Sequence, residues 1–164
     1  EVRLRRGRCA GSDWPQEPDF IVAAGLHARE TVLGRASVEI LLGRRAGDRE
    51  WTGCWEMPGG KVEPGESRPG ALLREWQEEM GYIATVEEKP LVALPFVCKQ
   101  GTLMLYLFRV VTCSGRLKLD PSALSEVRYF TPAEIFAMPA NELIPSVRPL
   151  LTAIGIRSPY PDAG

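Results

Sequence analysis

The chain has 164 residues, 45% of them hydrophobic and 25% charged, a size and composition typical of one ordinary domain. Its formal net charge of −1 gives no general attraction to nucleic acid polymers or to membranes, and no apolar run is long enough to cross a bilayer. We therefore expect neither as a partner, and a polyanionic substrate would have to be bound by local groups.

The four cysteines are far apart and form no C-x-x-C pair, which argues against a zinc site and a disulfide framework and favours the cytoplasm. Residues 1–18 are predicted to be a flexible basic segment, 19–156 the folded domain and 157–164 a tail. The basic segment is interpreted as a solvated extension. An Arg-rich organellar presequence is the alternative.

In chain order, residues 20–28 (FIVAAGLHA) form an apolar run that predicts a buried strand. A turn at 30–35 and a partner strand at 37–42 would complete a hairpin. The segment 44–54 is rich in glycine and charge and is expected to be a loop. Residues 55–64 (WEMPGGKVEP) predict a short strand that runs into a glycine turn.

A helix is predicted from residue 67, because Leu72, Trp76 and Met80 recur at helical spacing and Gly81 can end it. Residues 91–97 and 102–111 are expected to pair as a hairpin.

A short strand at 127–130 follows, and then the sequence Thr131-Pro132-Ala133-Glu134, which is a capping box that starts a helix. Residues 144–154 predict a last helix.

The first of these helices carries Glu75, Glu78 and Glu79 at positions i, i+3 and i+4, which places three carboxylates on one face. Such a face is often simply solvated. Here Gly59-Gly60 lies just upstream, where the backbone can approach closely and expose a carbonyl. Carboxylate and carbonyl oxygens are the ligands that Mg²⁺ and Mn²⁺ prefer, so a metal site is the second interpretation.

Residues 60–82 (GKVEPGESRPGALLREWQEEMGY) resemble the Nudix box. In that motif a glycine, a glutamate and an Arg-Glu-apolar-x-Glu-Glu-x-Gly-apolar segment stand at fixed spacings. Every fixed position is filled, by Gly60, Glu66, Arg74, Glu75, Glu78, Glu79 and Gly81. Tyr82 stands where an aliphatic residue is usual.

The resemblance implies an α/β Nudix fold, in which a curved mixed β-sheet is sandwiched between helices in a single domain. It implies that Mg²⁺, with Mn²⁺ as a substitute, is bound by Glu75, Glu78, Glu79 and the Gly60 carbonyl. The catalytic residues would be Glu75, Glu78 and Arg74, which holds Glu75. Glu66 would anchor the loop. The implied reaction converts a nucleoside triphosphate to a monophosphate and pyrophosphate.

The resemblance extends to the MutT branch, which removes oxidised purine nucleotides such as 8-oxo-dGTP. Residues 44–61 are similar to the segment that precedes the box in that branch, so Arg45 would contact the nucleotide, and Lys61 is a candidate phosphate partner. Residues 138–142 (MPANE) resemble a segment whose asparagine binds the purine edge, which makes Asn141 the candidate. The alternative for Arg45 is a solvated loop charge, and the alternative for Asn141 is a helix-cap or turn residue before Pro145.

A further carboxylate of that branch falls near Asp120 or Glu126, depending on how the loop is aligned. Two alternatives stand beside an oxidised-purine pyrophosphohydrolase. One is a CTP or dCTP pyrophosphohydrolase of the same family. The other is a Nudix module that binds a ligand without hydrolysis. A nucleotide is the expected small-molecule partner, and the protein is expected to be a monomer or a homodimer.

Overall fold

The computed structural model describes residues 17–30 and 38–159, in which the strands form two sheets flanked by helices. The first strands are β1 (Phe20–Leu26), β2 (Ala28–Glu30), β3 (Val38–Arg45), β4 (Trp55–Glu56) and β5 (Gly59–Lys61). Later strands are β6 (Ile83–Val86), β7 (Val92–Cys98), β8 (Gly101–Ser114) and β9 (Leu124–Phe130). The helices are α1 (Arg68–Met80), α2 (Pro132–Ala137) and α3 (Val147–Ala153).

The larger sheet has the order β5-β1-β8-β6, with β7 also paired to β8. Strands β1 and β8 run parallel, whereas the other pairs are antiparallel, so the sheet is mixed as expected. The predicted hairpin of β7 and β8 is confirmed, with Cys98 opposite Gly101 at its turn.

The smaller sheet has the order β2-β3-β4, and β9 also pairs with β3, in the antiparallel direction. The expected hairpin between the first strand and residues 37–42 is wrong in its pairing. Strand β3 pairs with the short β2, while β1 belongs to the larger sheet. Strand β3 also continues through Arg44 and Arg45, which were expected in a loop. Most of the predicted turn at 30–35 lies outside the described residues.

Helix α1 begins and ends as its sequence predicts. The Ser67 side chain accepts a hydrogen bond from the Gly70 amide at 3.0 Å, and Gly81 ends the helix at a φ of 74°. The buried side chain of Trp76 donates from Nε1 to the Pro58 carbonyl at 2.9 Å. This bond ties the helix to the chain just before β5, so the helix and the glycine pair are held together.

The predicted capping box is confirmed, because Thr131 and Glu134 exchange both hydrogen bonds at the start of α2. The last helix is shorter than predicted: α3 begins only at Val147. Pro145 favours extended backbone in the residue before it, and Ile144 instead donates to the Trp55 carbonyl at 3.0 Å. Strand β6 was not predicted.

None of the helices in the described ranges is long and apolar enough to span a membrane. Residues 1–16, which form most of the predicted basic segment, and residues 160–164 of the predicted tail lie outside those ranges.

Candidate active site

The two glycines of β5 are required by two different close approaches. A Cβ on Gly59 would lie 2.7 Å from the Ala24 Cα and closer still to the Ala23 carbonyl oxygen, because β5 packs backbone to backbone against β1. A Cβ on Gly60 would instead lie 2.5 and 2.8 Å from the carboxylate oxygens of Glu75. The Glu75 carboxylate therefore packs directly against the Gly60 backbone.

Arg74 joins the acidic residues of the box. Its Nε and Nη2 donate to the two oxygens of Glu66 at 2.7 and 3.0 Å, and Nη1 donates to Glu75 at 3.0 Å and to Glu78 at 3.2 Å. Nη2 also donates to the Lys61 carbonyl at 3.1 Å. These bonds from Arg74 hold the pKa of Glu66 down at about 2. Arg74 thus fixes the loop through Glu66 and orients Glu75.

Glu79 is the buried carboxylate of the site. It is 7% exposed, and its Oε2 atom is buried without a hydrogen-bond partner. Burial first, and then the charges of Glu56 and Glu75, raise its pKa to about 9. The pKa of Glu56 is raised by burial as well, although Arg45 opposes the shift from 3.0 Å. The charges of Glu56 and Glu75 therefore disfavour the ionised form of the buried Glu79.

These three carboxylates line one cavity of about 590 Å³. The cations Arg45, Arg49, Lys61 and Lys99 line the same cavity. Apolar side chains complete it, among them Phe20, Trp51, Met57, Phe96 and Leu105. A ligand that combines an anionic part with a flat apolar part suits such a lining.

The predicted metal ligands are only partly gathered. Among the described residues, no three His, Cys, Asp or Glu side chains form a ready-made metal cage. Glu78 is 58% exposed, is paired with Arg74 and does not line the cavity. Glu75 and Glu79 do fit a hard cation, since Glu79 Oε2 lacks a partner and the Glu75 carboxylate lies against Gly60.

The two candidates for a further carboxylate lie elsewhere. Asp120 Oδ1 accepts from the Ser122 amide at 3.0 Å and from its hydroxyl at 2.7 Å, and these bonds lower the Asp120 pKa. Glu126 pairs with Arg128 at 2.7 Å on the smaller sheet. Neither residue lines the cavity, although the Asp120 amide donates to the Glu79 carbonyl at 2.9 Å.

Besides Glu75 and Glu79, the cavity is lined by Asp48, Glu50 and Glu56, none of which was predicted from the sequence. Among these three it is Glu56 whose charge acts on Glu79. Its signal was its place between Trp55 and Met57, two apolar residues, where an acid needs a partner. That partner is Arg45, eleven residues upstream, which also lines the cavity.

Asn141 is not brought to the cavity. It lies in a 3-10 turn, Ala140–Glu142, where it is exposed and its carbonyl accepts a hydrogen bond from the Cys54 thiol at 3.3 Å. The cavity is lined instead by the residues that follow, Ile144, Pro145 and Ser146. Lys61 does line it and donates to Gln100 Oε1 at 2.6 Å.

The mixed sheet, the loop before α1 and the carboxylates of α1 define a Nudix fold, and residues 28–152 match the model of the NUDIX domain family. The chain belongs to this family. The predicted family and fold are therefore confirmed.

Among its relatives, the CTP pyrophosphohydrolase of Escherichia coli K12 is 52% identical over 50 residues, which are 30% of this chain and 37% of that protein. The 8-oxo-dGTP diphosphatase of the same strain is 49% identical over 50 residues, 30% of this chain and 39% of that protein. The chain is also similar to the solution structure of the E. coli ORF135 protein, with 30% sequence identity and a TM-score of 0.65. The match covers 82% of this chain and 86% of the ORF135 chain.

Proposed function

We propose that the protein is a Mg²⁺-dependent pyrophosphohydrolase that converts a nucleoside triphosphate to a monophosphate and pyrophosphate. One observation carries the proposal. Three carboxylates, those of Glu56, Glu75 and Glu79, converge in a cavity that is also lined by arginine and lysine side chains. One oxygen of the buried Glu79 has no hydrogen-bond partner. An arrangement that costs stability in this way is typical of a site built for a cation and an anionic substrate.

Glu75, Glu79 and the Gly60 carbonyl would hold the metal, with Glu78 as the exposed fourth member of the set. When bound, Mg²⁺ supplies neutralisation of phosphate charge and activation of a water for substitution at phosphorus. Arg74 keeps Glu75 in place through Nη1 and is itself held by Glu66 through Nε and Nη2. The orientation of the Glu75 carboxylate therefore does not depend on the substrate. Lys61 and Arg45 are the proposed contacts to the phosphates and the nucleotide.

Two classes of base are candidates. An oxidised purine such as 8-oxo-dGTP is supported by the similarity to the E. coli 8-oxo-dGTP diphosphatase and by the MPANE segment. A pyrimidine such as CTP or dCTP is supported by the similarity to the E. coli CTP pyrophosphohydrolase and by the position of Asn141 away from the cavity. The matched segments span 37% to 39% of those relatives, so the base is a matter for experiment.

Pyrophosphate release with Mg²⁺ should be compared across 8-oxo-dGTP, dGTP, dATP, dCTP, CTP and UTP. We expect pyrophosphate rather than orthophosphate as the product, and one preferred base. A clear preference for 8-oxo-dGTP supports the purine candidate, whereas a preference for CTP or dCTP supports the pyrimidine one. No release from any of the six would contradict the proposed reaction and leave a ligand-binding module.

A further inference from the structure

The two tryptophans beside the site have different surroundings. Trp55 is 7% exposed and packs edge to face against Phe130, with ring centroids 4.8 Å apart, so it is a core residue. Trp51 is only partly buried at the edge of the same core, and it lines the cavity that holds the carboxylates. The packing of the core accounts for Trp55 but leaves Trp51 with a surface toward the cavity.

Trp51 also has an unfavourable backbone conformation. Its φ is 60°, and within the described residues it is the one non-glycine position with a positive φ. A residue with a Cβ loses about 1–2 kcal/mol in this left-handed region. Glycine or asparagine would adopt it more easily, so a bulky aromatic residue here calls for an explanation.

The loop that carries Trp51 is fixed by its own hydrogen bonds. The Cys54 amide donates to the Trp51 carbonyl at 3.0 Å, and Arg45 Nε donates to the Glu50 carbonyl at 3.1 Å. Glu50 Oε1 in turn accepts from the Lys99 amide at 3.0 Å, which ties the loop to the hairpin of β7 and β8. These bonds on both sides hold the strained residue against the cavity.

We infer that Trp51 is the aromatic wall on which the nucleobase of the substrate stacks. This inference rests on the proposed function, because a nucleotide supplies both the anion for the charged groups and a planar ring for this wall. Base–aromatic stacking is tolerant of base identity, since every base has a π face. Trp51 therefore contributes affinity for nucleotides in general, whereas polar groups of the cavity select among them.

The test compares Trp51→Asn with Trp51→Phe on the best substrate of the panel. Asparagine suits the left-handed backbone and lacks a ring, whereas phenylalanine keeps a ring and the strain. We expect Trp51→Asn to raise KM about tenfold, equivalent to about 1.4 kcal/mol, with kcat changed less than twofold. Trp51→Phe should keep KM within about threefold.

A second measurement does not depend on turnover. The chain has four tryptophans, and titration with the nucleoside monophosphate of the best substrate should quench the fluorescence of the wild type but not that of Trp51→Phe. Equal quenching in both, or an unchanged KM in Trp51→Asn, would overturn the inference. A loss of kcat of the same size in both variants would also overturn it, because it would assign Trp51 a role in loop structure alone. If the wild type hydrolyses no triphosphate, the proposed function fails. The titration is then run with the nucleoside monophosphates of all six panel nucleotides, and it still tests whether a base stacks on Trp51.

Discussion

Alanine at Gly60 is expected to inactivate the protein without unfolding it. The new Cβ would lie 2.5 Å from one Glu75 oxygen, whereas an ordinary contact needs about 3.5 Å, so the carboxylate must move by about 1 Å. The carboxylate is the far end of a flexible side chain, and Gly60 is not among the residues with a positive φ. We therefore expect a change in unfolding free energy below about 1 kcal/mol. A displacement of about 1 Å at a reacting group is expected to lower turnover about a hundredfold.

Gly59→Ala is the matched control, because it adds the same methyl group one residue earlier. Its Cβ meets backbone atoms of Ala23 and Ala24, which cannot swing aside. We expect a loss of roughly 3 kcal/mol or more in unfolding free energy. Denaturant unfolding and pyrophosphate release measure the two effects separately. Full turnover in Gly60→Ala, or equal stability of the two variants, would refute the argument from close approach.

Three further variants test other parts of the account. Glu78→Gln should lower turnover at least about a hundredfold with a stability change below about 0.5 kcal/mol. Glu63→Gln is the control, because Glu63 is also an exposed neighbour of Arg74, and it should stay active. Equal activity of the two variants would remove Glu78 from the metal set. Asn141→Ala should leave the base preference unchanged, because Asn141 does not line the cavity; an altered preference across the panel would show that it approaches the base. Burial lowers the pKa of His27, so below the unfolded pKa of about 6.5 the unfolded chain binds a proton there more readily than the folded protein does. The free energy of unfolding therefore decreases as the pH falls below this value. Unfolding measured at pH 7.5 and 5.5 should show a smaller loss in His27→Gln than in the wild type, and an equal loss would contradict this role.

Local sequence rules predicted the parts of the fold that depend on local chemistry. The ends of α1 follow from Ser67 and Gly81, and the start of α2 follows from Thr131 and Glu134. The spacing of Glu75 and Glu79 on one helix likewise placed both carboxylates in the cavity.

Features that depend on distant parts of the chain were missed. The pairing of β1 with β8 joins residues more than eighty positions apart, and no local pattern excludes the hairpin that was expected instead. The pairing of β3 with β4 sets Glu56 opposite Gly43, so that Arg45 can reach it. Its effect on Glu79 depends on where α1 packs, which no local pattern gives. Asn141 was predicted from a short motif. The residues that line the cavity follow it, beginning with Ile144, whose amide is bound to the Trp55 carbonyl.

The most direct test of the central claim is the Mg²⁺ dependence of pyrophosphate release by the wild type and by Glu79→Gln. Glutamine keeps the shape of the buried side chain but cannot ionise to bind a cation, so the unfolding free energy should change by less than about 1 kcal/mol. We expect no release without a divalent metal, and a loss of at least about a hundredfold in the variant at saturating Mg²⁺. Release by the wild type in the presence of a chelator, or full turnover in Glu79→Gln, would contradict a catalytic metal held by this carboxylate.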